Sequence, residues 1–223
     1  MQATRFRDRA EAGRFLAEQL RDFAGRDDVI VLALPRGGVP VAYEVARALG
    51  APLDIVSVRK VGVPGHEELA MGAVASGGEL VLDEGLVTRL GMPLSELRRR
   101  IGEEVRELER RDAAYREGRT PPNLEGKTVV LVDDGLATGS TMRAAVLAAR
   151  RQRPARVVVA VPVASPEACH DLRDVADEIV CGISPQFLQA VGLWYEDFSQ
   201  TSDAEVRDLL ARASQSTENG ARV

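Results

Sequence analysis

The sequence is poor in the features that mark several specialised classes of protein. Its two cysteines, Cys169 and Cys181, lack the C-x-x-C spacing of a zinc site and do not suggest a disulfide framework, so two reduced thiols in a cytoplasmic protein are expected. No apolar run approaches the ~20 residues of a membrane span. The first residues lack the apolar stretch of a secretory signal, so neither export nor a membrane partner is expected.

Positive charge is not in excess either. The 223 residues include 29 Lys and Arg against 34 Asp and Glu, which gives a formal net charge of −5. This balance provides no general attraction to nucleic-acid phosphates, so nucleic acid is an unexpected partner. Hydrophobic residues make up 45% of the chain and charged residues 28%, as in ordinary globular proteins. The length is enough for one large α/β domain or for one domain with an appendage.

Short apolar runs alternate with amphipathic stretches along the chain. Continuous apolar runs are typical of parallel strands that are buried on both faces, and the intervening helices would cover the sheet. The alternation predicts an α/β fold with a mostly parallel, doubly wound sheet. Strands are predicted at 29–34, 53–58, 128–132, 156–161 and 178–181. Helices are predicted at 7–23, 39–49, 93–117, 141–152, 166–175 and 203–213.

The domain organisation follows from the same pattern. One domain is predicted over residues 1–213, with its core at about 29–182. An excursion at 61–119 contains a glycine-rich stretch, interpreted as partly mobile with one or two short strands, and then the long charged helix. Residues 183–213 are a candidate C-terminal hood, and residues 214–223 are predicted to be a disordered tail.

The strongest functional signal is the segment from Lys127 to Thr141. A buried strand ends in Asp133 and Asp134, and a short loop with two glycines then begins a helix. The free N–H groups and the positive dipole end of a helix start favour an anion. The two acids cannot bind that anion, but they suit sugar hydroxyls or a metal beside it. The segment therefore predicts a ribose 5-phosphate site, and it matches neither a Walker A loop nor a Rossmann fingerprint.

This segment resembles the diphosphate-sugar signature of the type I phosphoribosyltransferases, and the order of elements agrees over about Val29 to Cys181. The resemblance implies a Rossmann-like domain that binds phosphoribosyl diphosphate (PRPP). Asp133 and Asp134 would hold the ribose hydroxyls. The residues expected around the 5′-phosphate are Ala137, Thr138, Gly139, Ser140 and Thr141.

Two more segments resemble parts of the same family. Arg36, Gly37 and Gly38 follow the first core strand and resemble the pyrophosphate loop, in which a strained peptide turns N–H groups toward the diphosphate. Arg59 and Lys60 match the position of a basic residue for pyrophosphate. Because ligands of such sheets bind beyond the carboxyl ends of the strands, these residues and the acid pair are predicted to share one crevice.

The remaining candidates depend on mobile or peripheral segments. Residues 61–85 correspond to the family's flexible loop, which closes over the site, and His66 within it is interpreted as a solvated loop histidine, with proton transfer or metal binding as the alternative. Trp194 and Tyr195 lie where members of the family place an aromatic hood over the base. A small satellite core under a loop is an equally good interpretation of that pair.

The resemblance implies transfer of the phosphoribosyl group from PRPP to a nitrogenous base, with release of pyrophosphate. Arg36, Arg59 and Lys60 are the catalytic candidates, through stabilisation of the leaving group. Mg²⁺ is the expected cofactor, bridging the diphosphate and the ribose hydroxyls without a direct protein ligand, with Asp133 and Asp134 as the alternative ligands. Members that act on hypoxanthine or guanine carry an acid where this chain has Ala137, so a 6-oxopurine acceptor is disfavoured. A homodimer is a possible assembly.

Other functions remain open at this point. A non-catalytic module that senses PRPP or a nucleotide and regulates a partner would carry the same acid-containing loop. A hydrolase of sugar phosphates is the weaker idea, because neither cysteine lies near the motif to act as a nucleophile. A nucleobase screen that reads out pyrophosphate separates the enzyme from the module.

Overall fold

The computed structural model describes residues 5–220, apart from the side chains of residues 66–69 and 216–220. The described strands are β1 (Val29–Ala33), β2 (Leu53–Ile55), β3 (Val58–Val63), β4 (His66–Ala75), β5 (Glu79–Leu82), β6 (Thr128–Val132), β7 (Arg156–Val163) and β8 (Glu178–Ile183). The described helices are α1 (Arg9–Gln19), α2 (Gly38–Leu49), α3 (Glu84–Arg89), α4 (Leu94–Arg116), α5 (Ser140–Arg151), α6 (Pro166–Asp171) and α7 (Asp203–Gly220).

The main sheet has five parallel strands in the order β2-β1-β6-β7-β8. Its three central strands are buried almost along their whole length, because their apolar runs leave no polar face for solvent. Helices α1, α2 and α7 cover one face of the sheet, and helices α5 and α6 cover the other. The predicted α/β fold with a mostly parallel, doubly wound sheet is confirmed.

The glycine-rich excursion is a second sheet, in which β3, β4 and β5 pair antiparallel. This corrects the expectation of one or two short strands. Gly65, Gly77 and Gly78 have positive φ and lie in the turns between the strands. Val61 and Met71 pack against the apolar stripe of α4, which gives the sheet a core of its own. These glycines therefore form tight turns. Composition alone does not distinguish glycines in tight turns from glycines in a mobile segment.

The predicted strand at 53–58 is two elements. β2 ends at Ile55 in the main sheet, and β3 begins at Val58 in the second sheet. Between them the N–H of Ser57 donates to Ser76 Oγ at 2.8 Å, outside the ladder of the main sheet. Arg59 therefore lies within a strand of the second sheet and not at the carboxyl end of a core strand.

Two further expectations need correction. The structure joins Cys169 of α6 to Cys181 of β8 in a disulfide, because α6 packs on the sheet beside that strand, where reduced thiols were expected. Helix α7 continues to Gly220, so residues 214–220 are helical where a disordered tail was expected, and no proline or glycine interrupts the helix before its last residue. Residues 221–223 lie outside the described residues. Of the described helices, none is long and apolar enough to span a membrane.

Candidate functional site

The carboxyl ends of β1 and β6 meet in close contact. A Cβ added at Gly37 would lie 2.0 Å from Asp134 Oδ2, and one added at Gly38 would lie 2.7 Å from the carbonyl oxygen of Val132 and 3.1 Å from Asp133 Oδ1. Only glycine leaves room for the acid pair at these two positions. Two of the three segments predicted to share one crevice therefore do converge.

Each acid of the pair is held through one carboxylate oxygen. The N–H of Asp134 donates to Asp133 Oδ1 at 2.8 Å, and Arg9 Nε donates to Asp134 Oδ2 at 2.9 Å. The hydroxyl of Tyr195 donates to the main-chain oxygen of Asp134 at 2.6 Å. The other oxygen of each carboxylate, Asp133 Oδ2 or Asp134 Oδ1, is not among the described side-chain atoms that are both buried and without a hydrogen-bond partner. Asp133 Oδ2 and Asp134 Oδ1 are therefore the oxygens that can accept from a ligand.

Burial alters the titration of the acid pair. Desolvation, followed by the charge of Asp134, raises the pKa of Asp133 well above the ordinary value of an aspartate. Desolvation also raises the pKa of Asp134, although the hydrogen bond and the charge of Arg9 act against it. Both carboxyl groups therefore keep a proton to higher pH than an exposed aspartate would.

The predicted phosphate loop is tied to the end of β7. The N–H of Leu136 donates to Val163 O at 2.9 Å, the N–H of Ser165 donates to Leu136 O at 3.0 Å, and Ser165 Oγ donates to Ala137 O at 2.9 Å. Ala137 and Thr138 are exposed. The backbone of the loop is thus held by hydrogen bonds to Val163 and Ser165, while Ala137 and Thr138 face solvent.

Helix α5 begins with free amides. Gly139 precedes it in the left-handed conformation, with φ at 72°. The first helical bond runs from the N–H of Arg143 to Gly139 O at 2.8 Å, and within the described structure no side chain caps this end. The amides of residues 140–142 therefore have no acceptor inside the helix. With the exposed hydroxyls of Thr138 and Ser140 they can bind an anion, and Thr141 follows them half-buried.

The loop after β1 contains a cis peptide bond between Pro35 and Arg36. The N–H of Gly38 donates to Leu34 O at 3.0 Å, so that amide is used within the turn. The N–H groups of Arg36 and Gly37 have no acceptor among the described residues, and they are the ones available to a diphosphate. Arg36 Nη1 lies 3.6 Å from Asp203 Oδ1 at the start of α7.

The structure does not bring Arg59 and Lys60 to the acid pair through any described contact. Arg59 pairs with Glu104 of α4. Lys60, the next residue of the strand, points to the opposite face and is exposed. The expected position at a strand end is therefore wrong, whereas a role in pyrophosphate binding stays a prediction.

The aromatic pair near the carboxyl end serves packing. Tyr195 is only 3% exposed, and its ring centroid lies 5.7 Å from that of Phe6 and 5.0 Å from that of Phe198. Trp194 packs against the same cluster. The satellite-core interpretation fits Tyr195, which has no open face for a base, and its hydroxyl supports Asp134 instead. The side chain of His66, a weaker candidate, lies outside the described residues.

Arg9 contacts the acid pair, and the sequence did not indicate this residue as a part of the candidate site. Its side chain, 11% exposed, reaches from the start of α1 to Asp134, and its Nη1 donates to Ser199 O at 2.7 Å. The guanidinium carbon lies 4.0 Å from the ring centroid of Phe198. Arginines recur throughout this part of the sequence, and no local pattern marks this one.

A cavity of about 550 Å³ lies beside the phosphate loop. Ala137 and Thr138 form one wall, α6 forms another, and Phe187 from the segment after β8 lines it while 87% exposed. Two carboxylates, of Glu167 and Asp171, line the cavity, and none of the described basic side chains does. Among the described residues, no group of three or more His, Cys, Asp or Glu side chains is placed to hold a metal ion.

Comparison with known proteins identifies relatives of the whole domain. A family model described as "Phosphoribosyl transferase domain" matches residues 5–196. A Mycobacterium tuberculosis protein named "Putative phosphoribosyl transferase Rv0571c" is 44% identical over 208 residues, which are 93% of this chain and 47% of that protein. The chain thus spans about half the length of this curated relative.

Two other relatives extend the comparison. "Bifunctional protein PyrR" of Chloroflexus aurantiacus is 37% identical over 129 residues, which are 56% of this chain and 65% of that protein. The crystal structure of TT1426 from Thermus thermophilus is 48% identical and superposes with a TM-score of 0.82, covering 93% of this chain and 98% of that one. The similar fold therefore extends over nearly the whole of both chains.

Proposed function

This chain belongs to the phosphoribosyl transferase domain family, and we propose that it transfers the 5-phosphoribosyl group of PRPP to a nitrogenous acceptor and releases pyrophosphate. One observation carries the proposal. Asp133 and Asp134 lie at the end of a buried strand, and a few residues later the amides of residues 140–142 are free at the start of α5. An acid pair beside an anion site suits a sugar phosphate.

The substrate would span the two parts of this site. The 5′-phosphate would accept hydrogen bonds from the α5 amides and from the hydroxyls of Thr138 and Ser140. The ribose 2′- and 3′-hydroxyls would donate to Asp133 Oδ2 and Asp134 Oδ1, the two carboxylate oxygens without a protein donor. The diphosphate would then reach the N–H groups of Arg36 and Gly37.

The chemistry separates charge at the anomeric carbon. As the bond to pyrophosphate breaks, positive charge develops on the ribose ring and negative charge on the leaving group. The carboxylates stabilise the first, and the amides after β1, together with Arg36, stabilise the second. Arg36 can turn toward the leaving group because its ion pair with Asp203 is long, at 3.6 Å, and both side chains are substantially exposed.

The acid pair also fits Mg²⁺, because its two free oxygens are of the ligand type that hard cations prefer, and a dication favours the charged form of buried carboxyl groups. The diphosphate would supply further oxygen ligands. When bound, Mg²⁺ would neutralise charge on the diphosphate. Asp133 and Asp134 are the residues that would hold it.

The acceptor would occupy the 550 Å³ cavity beside Ala137. Because Glu167 and Asp171 line the cavity and no basic side chain in the described part of the chain does, it favours a neutral acceptor with N–H donors over an anionic one. Ala137 offers no proton-transfer group, so a 6-oxopurine remains disfavoured. Adenine-like, pyrimidine-like and amide acceptors remain.

The test is a panel of acceptors incubated with PRPP and Mg²⁺, with pyrophosphate release as the readout. Release with one neutral acceptor is expected, and it should be lost in Asp133→Asn. A second candidate function, a PRPP- or nucleotide-sensing module, is favoured by one observation: Arg59 is paired with Glu104, so the cations for the leaving group are not assembled. Tight PRPP binding without pyrophosphate release from any acceptor would support the module.

A further inference from the structure

We propose that Arg9 is a positioning residue of the sugar subsite: it fixes one carboxylate oxygen of Asp134, so that the other faces the ribose. The inference rests on the proposed function, because it presupposes that the acid pair binds a sugar. Arg9 lies 125 residues from Asp134 in the sequence and belongs to a different element. It touches the acid that would bind the sugar and not the sugar itself.

The start of α1 is held in place independently of Arg9. Asp8 caps the helix by accepting from the N–H of Glu11 at 2.7 Å. Just before it, the N–H of Phe6 donates to Trp194 O at 2.9 Å, and the N–H of Glu196 donates to Phe6 O at 2.8 Å. The backbone at residues 6–9 is therefore bound to the segment that carries Tyr195, which fixes the origin of the Arg9 side chain.

The guanidinium group is itself confined on three sides. It donates to Asp134 Oδ2 at 2.9 Å and to Ser199 O at 2.7 Å, and it lies 4.0 Å from the ring centroid of Phe198. The two paired side chains are only 11% and 16% exposed. A pair this buried is screened little by solvent and is expected to keep a fixed geometry, unlike a surface ion pair.

This confinement decides which oxygen of Asp134 is open. Oδ2 accepts from Arg9, and it also occupies the space that a Cβ at Gly37 would need, since that Cβ would lie 2.0 Å from it. Oδ1 is the oxygen that remains. Together with Asp133 Oδ2 it forms a pair of acceptors, which matches the two adjacent hydroxyls of a ribose.

Arg9 also balances the charge of the subsite. The titratable or charged groups that face Asp134 are Asp133, Arg9 and Tyr195. Asp197 in turn interacts electrostatically with Arg9. Of the described cations, Arg9 alone hydrogen-bonds to either acid. Its removal leaves two neighbouring buried carboxyl groups without a positive partner among the described side chains.

The expected consequence is a selective loss of sugar binding. A hydrogen bond weakens steeply as its angle departs from linearity, so a carboxylate that is held in one orientation accepts from the ribose hydroxyls better than one that is free to turn. Replacing Arg9 should therefore weaken binding of the sugar, whereas binding of phosphate at α5 should not change.

The test measures binding of ribose 5-phosphate and of inorganic phosphate to the full chain by calorimetry at constant pH. The variants are Arg9→Gln, Arg9→Lys and the control Arg14→Gln, which removes an arginine of the same helix that pairs with Glu44 at 3.6 Å. We expect Arg9→Gln to weaken ribose 5-phosphate binding roughly ten-fold, equivalent to about 1.4 kcal/mol, and to leave inorganic phosphate binding unchanged. Ribose 5-phosphate binding should be partly rescued in Arg9→Lys, and Arg14→Gln should bind both probes as the wild type does.

Three results would overturn the inference. Wild-type affinity for ribose 5-phosphate in Arg9→Gln would show that Asp134 needs no partner. Equal loss of ribose 5-phosphate and phosphate binding would show that Arg9 supports only the fold. The third result concerns the wild-type chain: if it bound ribose 5-phosphate no tighter than phosphate, the sugar subsite, and with it the proposed function, would be rejected before any variant is considered.

Discussion

Replacing Gly37 by alanine should disable the sugar subsite by steric contact alone. The backbone at Gly37 has φ of −61° and ψ of −32°, which alanine adopts freely, so no conformational strain complicates the change. The added Cβ would lie 2.0 Å from Asp134 Oδ2 and 2.7 Å from Asp134 Cγ, whereas Cβ contacts essentially never fall below 3.0 Å. The carboxyl group must therefore move by about 1 Å or more, and Arg9 limits where it can go.

The magnitude follows from what that displacement breaks. Overpacking a tight site costs typically about 1–3 kcal/mol, and the hydrogen bond between Arg9 and Asp134 is a charged, buried one worth about 1.5–3 kcal/mol if it is lost. We expect the Gly37→Ala chain to unfold at a lower urea concentration. Its affinity for ribose 5-phosphate should fall at least about ten-fold, because a shift of the acceptor oxygen by 1 Å misaligns its hydrogen bond.

The control is Gly102→Ala, the same chemical change within helix α4. There the nearest atom to the new Cβ is Arg106 Nη1 at 3.4 Å, the far end of a flexible side chain. Alanine favours a helix over glycine by up to about 1 kcal/mol, so this variant should be equally or more stable and should bind ribose 5-phosphate as before. Retention of sugar affinity within two-fold in Gly37→Ala would refute the steric argument and the contact between the loop and Asp134.

Three further predictions concern the same site. Asp133→Asn and Asp134→Asn should each weaken ribose 5-phosphate binding in calorimetry while inorganic phosphate binds unchanged; a loss of both would place the acids at the phosphate. Gly139→Ala should weaken phosphate binding and lower the urea midpoint, because φ of 72° costs a non-glycine residue about 1–2 kcal/mol and the new Cβ would lie 3.4 Å from Ala168 Cβ; wild-type phosphate affinity would argue against an anion site at α5. Since the folded-state pKa of Asp133 is raised, its contribution to stability is present at low pH and is lost as pH rises through that pKa. The wild-type free energy of unfolding, measured in urea from pH 4 to pH 8, should therefore fall relative to that of Asp133→Asn as pH rises, and a difference independent of pH would contradict the buried acid.

The phosphate half of the site could be predicted from sequence because its determinants are local. The buried strand β6, the acids that end it, the glycine at 139 and the helix start all lie within one segment of about fourteen residues. The contact of this segment with Gly37 and Gly38 also followed, since parallel strands place their carboxyl ends at one edge of the sheet. No knowledge of distant side chains was needed for either inference.

The same reasoning failed where one residue type serves two purposes. Glycines 65, 77 and 78 suggested mobility, but they make the turns of a packed antiparallel sheet. The strand at 53–58 looked continuous because its apolar run continues through Val56, although the chain leaves the main sheet after Ile55. The glycine content of a segment indicates its conformational freedom. It does not show which strands pair with the segment and remove that freedom.

The two halves of the site should therefore differ in how they respond to damage elsewhere in the protein. The phosphate end depends on α5 and on one neighbouring anchor, Ser165, whose hydrogen bonds to the loop span 28 and 29 residues. The sugar end needs Arg9, whose partners Asp134 and Ser199 lie 125 and 190 residues away. Loss of packing at the start of α1, or at the aromatic cluster around Phe198, should therefore weaken sugar binding at the acid pair more than phosphate binding at the amides of residues 140–142. Selective loss of ribose 5-phosphate affinity in Phe198→Ala, with phosphate affinity retained, is the result that this difference in sequence separation requires.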